Sequence, residues 1–234
     1  MDLEAVRARI AKAAARARRD ASEVGIVAVT KTHPVAAVQE SVAAGLLDVG
    51  ENRVQEALAK QDEWKGAPVR WHLIGHLQRN KAKQAVGRFA LIHSVDSIRL
   101  ADALDQAAAA NDLIQDVLVQ VNVAREPQKD GVRPEEAESL VRHVAGLPHL
   151  ALQGLMTIAP FTDDAVVIRE TFRGLRLLRD RIVGQQSTVD SKASAVNRQL
   201  STLSMGMSHD FEIAVEEGAS LLRLGTILFG ERTP

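Results

Sequence analysis

The 234-residue sequence predicts an α/β fold, a single (β/α)8 TIM barrel with an extra N-terminal helix. Three observations point there. Short apolar runs alternate with amphipathic or alanine-rich segments along most of the chain, the pattern of repeated strand–helix units around a parallel sheet. Eight candidate strands fall at 25–30, 46–50, 70–75, 90–95, 116–123, 150–156, 201–205 and 221–225, and eight is the number that closes such a barrel. The length suits one domain, 1–234, since single barrels of this kind run to roughly 250 residues. A doubly wound open sheet gives a similar alternation, but no G-x-G-x-x-G follows the first strand, which weakens the dinucleotide-binding version.

Each element has a local reason. Residues 2–19 space Leu3, Val6, Ile10, Ala13 and Ala17 along one helical face with arginines around them. Asp2 and Glu4 are unlike an organelle transit peptide, which avoids acids, so a packing helix is expected. Strand one lies in VGIVAVTKTHP, 24–34, where Val24, Ile26, Val27, Ala28 and Val29 form the kind of run that is buried on both faces of a parallel sheet. Thr32, His33 and Pro34 break it, and Pro34 can start a helix because its missing N–H is one the first turn leaves unpaired. Further helices are expected near 35–44, 53–61, 79–86, 97–110, 134–145, 164–183 and 209–217. GQQSTVDSKASAVNRQ, 184–199, is Ser- and Gln-rich and reads as a loop or partly disordered connection within the barrel.

Composition removes whole classes of function. Lys and Arg number 29 against 30 Asp and Glu, so no net field draws the chain to nucleic acid or to a membrane surface. Cysteine is absent, which excludes disulfides, thiolate catalysis and cysteine-ligated metals. Tyrosine is absent too. No apolar stretch reaches the roughly 20 residues that span a bilayer, and no apolar signal core opens the chain. A soluble cytoplasmic protein is expected.

Lys31 ends strand one just before a helix, where α/β folds place their chemistry, although a lysine there also simply marks a strand's exit into water. Polar residues gather at the next strand ends: Gly50, Glu51 and Asn52, then His72, Gly75 and His76, then His93, Ser94 and Asp96, then Asn122. A barrel brings these ends to one face, so they are expected near Lys31. Asn52 and Asp96 serve equally well as helix N-caps. His72 and His76 flank a strand and a glycine turn, and no third ligand is spaced to match a known signature, so no metal site is expected. The basic run from Gln78 to Arg88 lacks interleaved aromatics and reads as a solvated helix face.

The stretch LSMGMSHDFEIAVEEGASLLRLGTILFG, 203–230, reads as strand, glycine turn, helix, strand and glycine turn. Ser208 sits where an N-cap is expected, with Asp210 in the first helical turn. Ser208 and the Gly225–Thr226 turn together suit an anion, since TIM barrels commonly bind phosphate with the loops after strands seven and eight. Gly206 and Gly225 equally well permit tight turns and nothing more. Arg223 alternates away from Leu222 and Leu224 and so points into the barrel. There it needs a partner, because it cannot shed its proton: an acid such as Glu51, or a cofactor nitrogen that accepts a hydrogen bond.

A lysine on strand one, a phosphate cradle on strands seven and eight and a barrel-facing arginine describe a pyridoxal phosphate site. With AVTKTHP, VGENRVQEA, WHLIGHLQRNK, HSVDS, GLMTIAP, LSMGMSHDFEIAV and LRLGTILFGER in order, the sequence from about residue 24 to 230 resembles the pyridoxal phosphate homeostasis proteins, relatives of the alanine racemase N-terminal barrel. The resemblance implies that pyridoxal 5'-phosphate is held covalently on Lys31, that Arg223 faces its pyridine nitrogen, and that Ser208, Gly225 and Thr226 hold its phosphate. It also implies that Asn52, Met156 and Met207 line the pocket. Arg53 stands where many members have tyrosine, His76 occupies a commonly different position, and 184–199 looks longer than usual. An arginine donor at the ring nitrogen leaves the electron sink weak, and the racemase family takes its second base from a tyrosine that this chain lacks. A non-catalytic carrier that stores, buffers or delivers the cofactor is therefore expected, with apo-enzymes as recipients and indirect effects on amino-acid and keto-acid balance. A monomer, or at most a weak dimer, is expected. The alternative is a weak racemase or aldolase using Lys31 with a histidine or water.

Overall fold

Ile26, Val27, Ala28 and Val29 are all buried within β1 (Gly25–Val29), and a strand with no wet face needs sheet neighbours and a cover of helices. The computed structural model, which describes residues 2–186 and 200–230, supplies both. β1, β2 (Asp48–Glu51), β3 (Arg70–Leu73), β4 (Leu91–Val95), β5 (Gln115–Gln120), β6 (Leu150–Met156), β7 (Thr202–Ser204) and β8 (Leu221–Leu224) join in sequence order into a closed barrel. Every pairing is parallel, and β8 closes on β1 with Arg223 beside Val27. The expected (β/α)8 barrel is the observed one.

The helices are α1 (Leu3–Arg16), α2 (Ala36–Ala43), α3 (Val54–Glu63), α4 (Ala82–Ala85), α5 (Ile98–Ala109), α6 (Pro134–Ala145), α7 (Ala165–Gln186), α8 (Phe211–Glu216) and α9 (Thr226–Phe229). The Asp2 carboxylate accepts from the Ala5 N–H and starts α1, and Pro134 opens α6 at a position that needs no N–H. α1 is the extra N-terminal helix: Val6, Ile10, Ala13 and Ala14 are buried, and Arg9 both pairs with Glu212 at 2.9 Å and lies over the Phe211 ring of α8. Among the described residues no helix is long and apolar enough to cross a membrane.

Several boundaries differ from expectation. The segment 79–86 buries only Ala82, Ala85 and Val86, too little to hold a long helix, and forms a 3-10 turn followed by the short α4. α7 runs on to Gln186, so the expected 184–199 loop begins later; its remainder, 187–199, lies outside the described residues. The N-cap of α5 is Ser97, whose hydroxyl accepts from the Leu100 N–H, and that of α3 is Arg53; neither Asp96 nor Asn52 caps a helix. α9 follows β8 where only a turn was expected.

Two apolar clusters account for the packing. The larger fills the shell between strands and helices and includes Leu222 and Leu224. The smaller is Leu91, Leu118 and Met156, with Leu221 and Ile158 against it. Leu221 and Arg223 share the strand face opposite Leu222 and Leu224, so the smaller cluster fills part of the barrel interior and Arg223 enters the same space.

Candidate functional site

β1 hands the chain to Lys31 through a residue that is held from three sides. The Thr30 N–H donates to the Gly50 carbonyl at 3.0 Å, the Thr30 hydroxyl donates to Glu51 Oε1 at 2.6 Å, and Lys60 Nζ on α3 donates to the Thr30 carbonyl at 2.8 Å. Lys60 also pairs with Glu51, whose side chain is fully buried. Thr32 then takes a left-handed φ of 65°, which turns the chain sharply away and leaves Lys31 on the lining of the cavity at the barrel mouth.

That cavity, about 450 Å³, lies at the C-terminal ends of the strands, and its wall includes Lys31, Asn52, Met207, Ser208, Arg223, Gly225 and Thr226. Ile74, His76, Gln120, Asp130, Ile158, Phe161 and His209 complete most of the wall. Seven of the eight residues singled out from sequence thus share one space. Met156 does not reach it: it is fully buried in the small interior cluster beneath.

Glycines bring two of the walls together. A Cβ on Gly75 would fall 2.3 Å from the Asn52 carbonyl oxygen, so the turn after β3 can lie against Asn52 only without a side chain. Gly206, at φ 95°, takes a conformation that favours glycine, and a Cβ there would meet Ala214 at 2.6 Å. The tight turn it permits delivers Met207 and Ser208 to the mouth.

Ser208 is not the N-cap of α8; Asp210 holds that position. Ser208 Oγ instead accepts from the Gly225 and Ile227 N–H groups at 3.3 and 3.2 Å, joining the two loops after β7 and β8. Two backbone donors, the Ser208 hydroxyl and the adjacent Thr226 hydroxyl are therefore gathered in one corner.

Arg223 does not pair with Glu51. Its Nη1 donates to Ser204 Oγ at 2.7 Å and its Nη2 to the Thr157 carbonyl at 2.9 Å. Burial pulls the guanidinium down to about 10, with Asp210 acting the other way, so it stays charged at neutral pH. Burial likewise pushes the Asp210 carboxyl up, opposed by the Met207 N–H, His209 and Arg223.

The other polar strand ends separate. His76 lies on the cavity wall, with Asp96 and Asp130 at 3.6 and 3.4 Å. His72 and His93 point into the barrel and bond each other at 3.0 Å, so His72 and His76 share no site. Asn122 donates to the Glu126 and Lys129 carbonyls and holds its own loop. Arg53 is exposed and pairs with Glu56. Sequence reasoning missed Lys60, Gln120, Asp130, Phe161 and Ser204; Lys60 carried a signal, since a lysine on the apolar face of α3 beside Val54 and Ala57 requires a buried acid.

The family described as alanine racemase, N-terminal domain, matches residues 1–233. Proteins named pyridoxal phosphate homeostasis protein from Aquifex aeolicus and Pseudomonas aeruginosa are each 44% identical to this chain, over 98% and 97% of it and 96% and 93% of their own lengths. PipY of Synechococcus elongatus, solved with PLP bound, superposes with a TM-score of 0.81 at 39% identity, covering 94% of this chain and 100% of its own. An alanine racemase of Clostridium difficile shares the fold, with a TM-score of 0.74 at 14% identity over 97% of this chain and 56% of that one. Near-full-length identity of this order, on a barrel whose mouth gathers the expected lysine, arginine and hydroxyls, makes the chain a member of the pyridoxal phosphate homeostasis protein family, within the alanine racemase N-terminal domain superfamily.

Proposed function

We propose that this chain binds pyridoxal 5'-phosphate at the barrel mouth, holds it as a Schiff base on Lys31, and serves intracellular homeostasis of the cofactor by storing, buffering or delivering it to apo-enzymes. The observation that carries this reading is the convergence of Lys31, buried Arg223 and the Ser208–Gly225–Thr226 corner on one cavity of about 450 Å³.

The donor set fits the group. A phosphate calls for several N–H and O–H donors, and the Gly225 and Ile227 amides already point at Ser208 Oγ. A pyridine nitrogen calls for a donor that keeps its own proton, which Arg223 is at a value of about 10. Lys31 supplies a primary amine; condensation with an aldehyde forms one C=N bond and releases one water, with no change of oxidation state. Bound there, the cofactor supplies an electrophilic aldehyde and an electron-withdrawing ring.

The same donor argues for carriage over catalysis. A ring nitrogen hydrogen-bonded to arginine stays unprotonated, which makes it a weak electron sink, and the chain has no tyrosine to act as an opposing base. Effects on amino-acid and keto-acid balance then follow indirectly from cofactor supply. The second reading, a weak racemase or aldolase, is favoured only by His76 and His209, which line the same cavity.

Titration of the purified chain with pyridoxal 5'-phosphate, read by visible absorbance, tests the reading. The wild type should develop the Schiff-base band in a one-to-one complex, and Lys31→Ala should not. A wild-type chain that never develops the band would overturn it.

A further inference from the structure

A line of polar side chains, exposed at the N-terminal rim and buried from His72 onward, crosses the barrel interior to the mouth. Arg70 Nε donates to Asp48 Oδ1 at 2.6 Å, His72 Nε2 lies 2.9 Å from the same oxygen, and His72 Nδ1 lies 3.0 Å from His93 Nε2. His93 Nδ1 lies 3.0 Å from Ser204 Oγ, which accepts from Arg223 at 2.7 Å. β2, β3, β4, β7 and β8 each contribute a member, and His93 and Ser204 are fully buried. Filling this half of the interior with apolar side chains, as Leu91, Leu118 and Met156 fill the other, would avoid the desolvation cost.

The ends of the line set its polarity. Arg223 can only donate, and an ionised Asp48 can only accept. Between them stand two imidazoles, each with one donor and one acceptor when neutral, and a hydroxyl with a single donor. One assignment satisfies all of them: Arg223 donates to Ser204, Ser204 to His93 Nδ1, His93 Nε2 to His72 Nδ1, and His72 Nε2 to Asp48. A second proton on His93 puts a hydrogen on Nδ1 facing Ser204, which then accepts twice and has no acceptor in the line for its own hydrogen. A second proton on His72 forces His93 into its other tautomer with the same result at Ser204. The electrostatics agree. Burial, followed by His72 and Arg223, holds His93 well below the ordinary imidazole value. Burial pushes the Asp48 carboxyl up, yet hydrogen bonds from His72 and Arg70 keep it at about 2.

We propose that His72, His93 and Ser204 are positioning residues that lock Arg223 in one orientation and aim its remaining N–H groups at the cofactor's ring nitrogen, so that recognition of that nitrogen depends on the His93 imidazole staying neutral. The inference rests on the pyridoxal phosphate reading above. The charged groups around the line are Arg70 and Asp48 at the rim and Asp210 beside Arg223.

The test compares pyridoxal 5'-phosphate with its 1-deaza analogue, which has C–H in place of the ring nitrogen, on the full chain. The wild type should bind the natural cofactor about tenfold more tightly, the worth of one well-placed hydrogen bond. Ser204→Ala should erase most of that preference and leave analogue affinity unchanged, while His93→Gln, which keeps one donor and one acceptor, should retain it. Equal weakening of both ligands in Ser204→Ala, or an unchanged preference, would overturn the inference. Imidazole nitrogen NMR of the ligand-free chain separates this from failure of the functional reading. Nε2–H tautomers on both His72 and His93 support the relay even if neither ligand binds, whereas an Nδ1–H tautomer on His93 overturns it whatever binds.

Discussion

At the N-terminal rim Glu217, almost fully buried, is wrapped by Arg169, Arg173 and Arg176 at 3.0 to 3.2 Å. At the C-terminal mouth Arg223 is buried as deeply, but it donates to a hydroxyl and a carbonyl. The difference lies in what each cluster leaves over. Three guanidinium groups converge on one carboxylate, with Glu216 taking Arg16 and Arg169 beside it, and these ion pairs tie α7 and α1 to α8. A guanidinium held by neutral acceptors keeps its charge and its unused donors for whatever enters the cavity. Charged residues at one rim therefore contribute stability, and those at the other contribute recognition.

The largest expected effect breaks the mouth and spares the rim. Ser208→Ala combined with Thr226→Val removes two hydroxyls from the proposed phosphate corner, and each lost bond to a charged group should cost about 1.5 to 3 kcal/mol of binding. Fluorescence titration should show a large loss of affinity for pyridoxal 5'-phosphate and little change for pyridoxal, which has no phosphate. Equal losses for both ligands would move the phosphate elsewhere.

The converse change belongs to the rim. Glu217→Ala should lower stability by about 1 to 3 kcal/mol in urea unfolding, reduced from a fully buried pair because its arginines are partly solvated. Cofactor affinity should stay within about twofold, the scale of a surface effect; a larger loss would mean the two rims are coupled.

Acidification should expose the line joining the rims. His93 is held neutral, with its folded value below the ordinary imidazole value. The unfolded chain therefore binds the extra proton first, and stability is full above about pH 6.5 and declines below it, by at most about 1.4 kcal/mol per pH unit for one such group. Asp48, lowered to about 2 in the fold, adds a second loss only below its ordinary value of 3.8. Urea midpoints between pH 7.5 and 5 should fall in the wild type and fall less steeply in His93→Gln. An identical slope would assign the acid sensitivity to another group.

The smallest expected effect is none. Alanine should show no α-proton exchange at ordinary enzymatic rates, roughly 1 to 1,000 per second, and turnover in that range would favour the racemase alternative.

Most of the barrel was legible in the sequence because its strands are buried on both faces and its helices carry apolar stripes; both patterns are local. Lys31, Ser208 and Arg223 were legible for a related reason, since strand ends in a barrel converge whatever surrounds them. What escaped depends on contacts remote in sequence. Met156 matched a pocket position, but β6 directs it into the interior cluster with Leu91 and Leu118. Ser208 looked like the cap of its own helix, yet it bonds amides 17 and 19 residues downstream. His72 and His93 were assigned to the mouth because they sit on strands that lead there; only the barrel's closure places them one above the other, with Ser204 arriving from 111 residues away. Pairings of that range leave no periodic trace in the chain.

The central claim is that Lys31 carries the cofactor. Borohydride reduction of the loaded protein, followed by peptide mass mapping, converts the C=N bond to a stable C–N bond and shows which lysine formed it. The phosphopyridoxyl mass should appear on the peptide containing Lys31. The same adduct on Lys81 or Lys129, with Lys31 unmodified, would contradict the assignment.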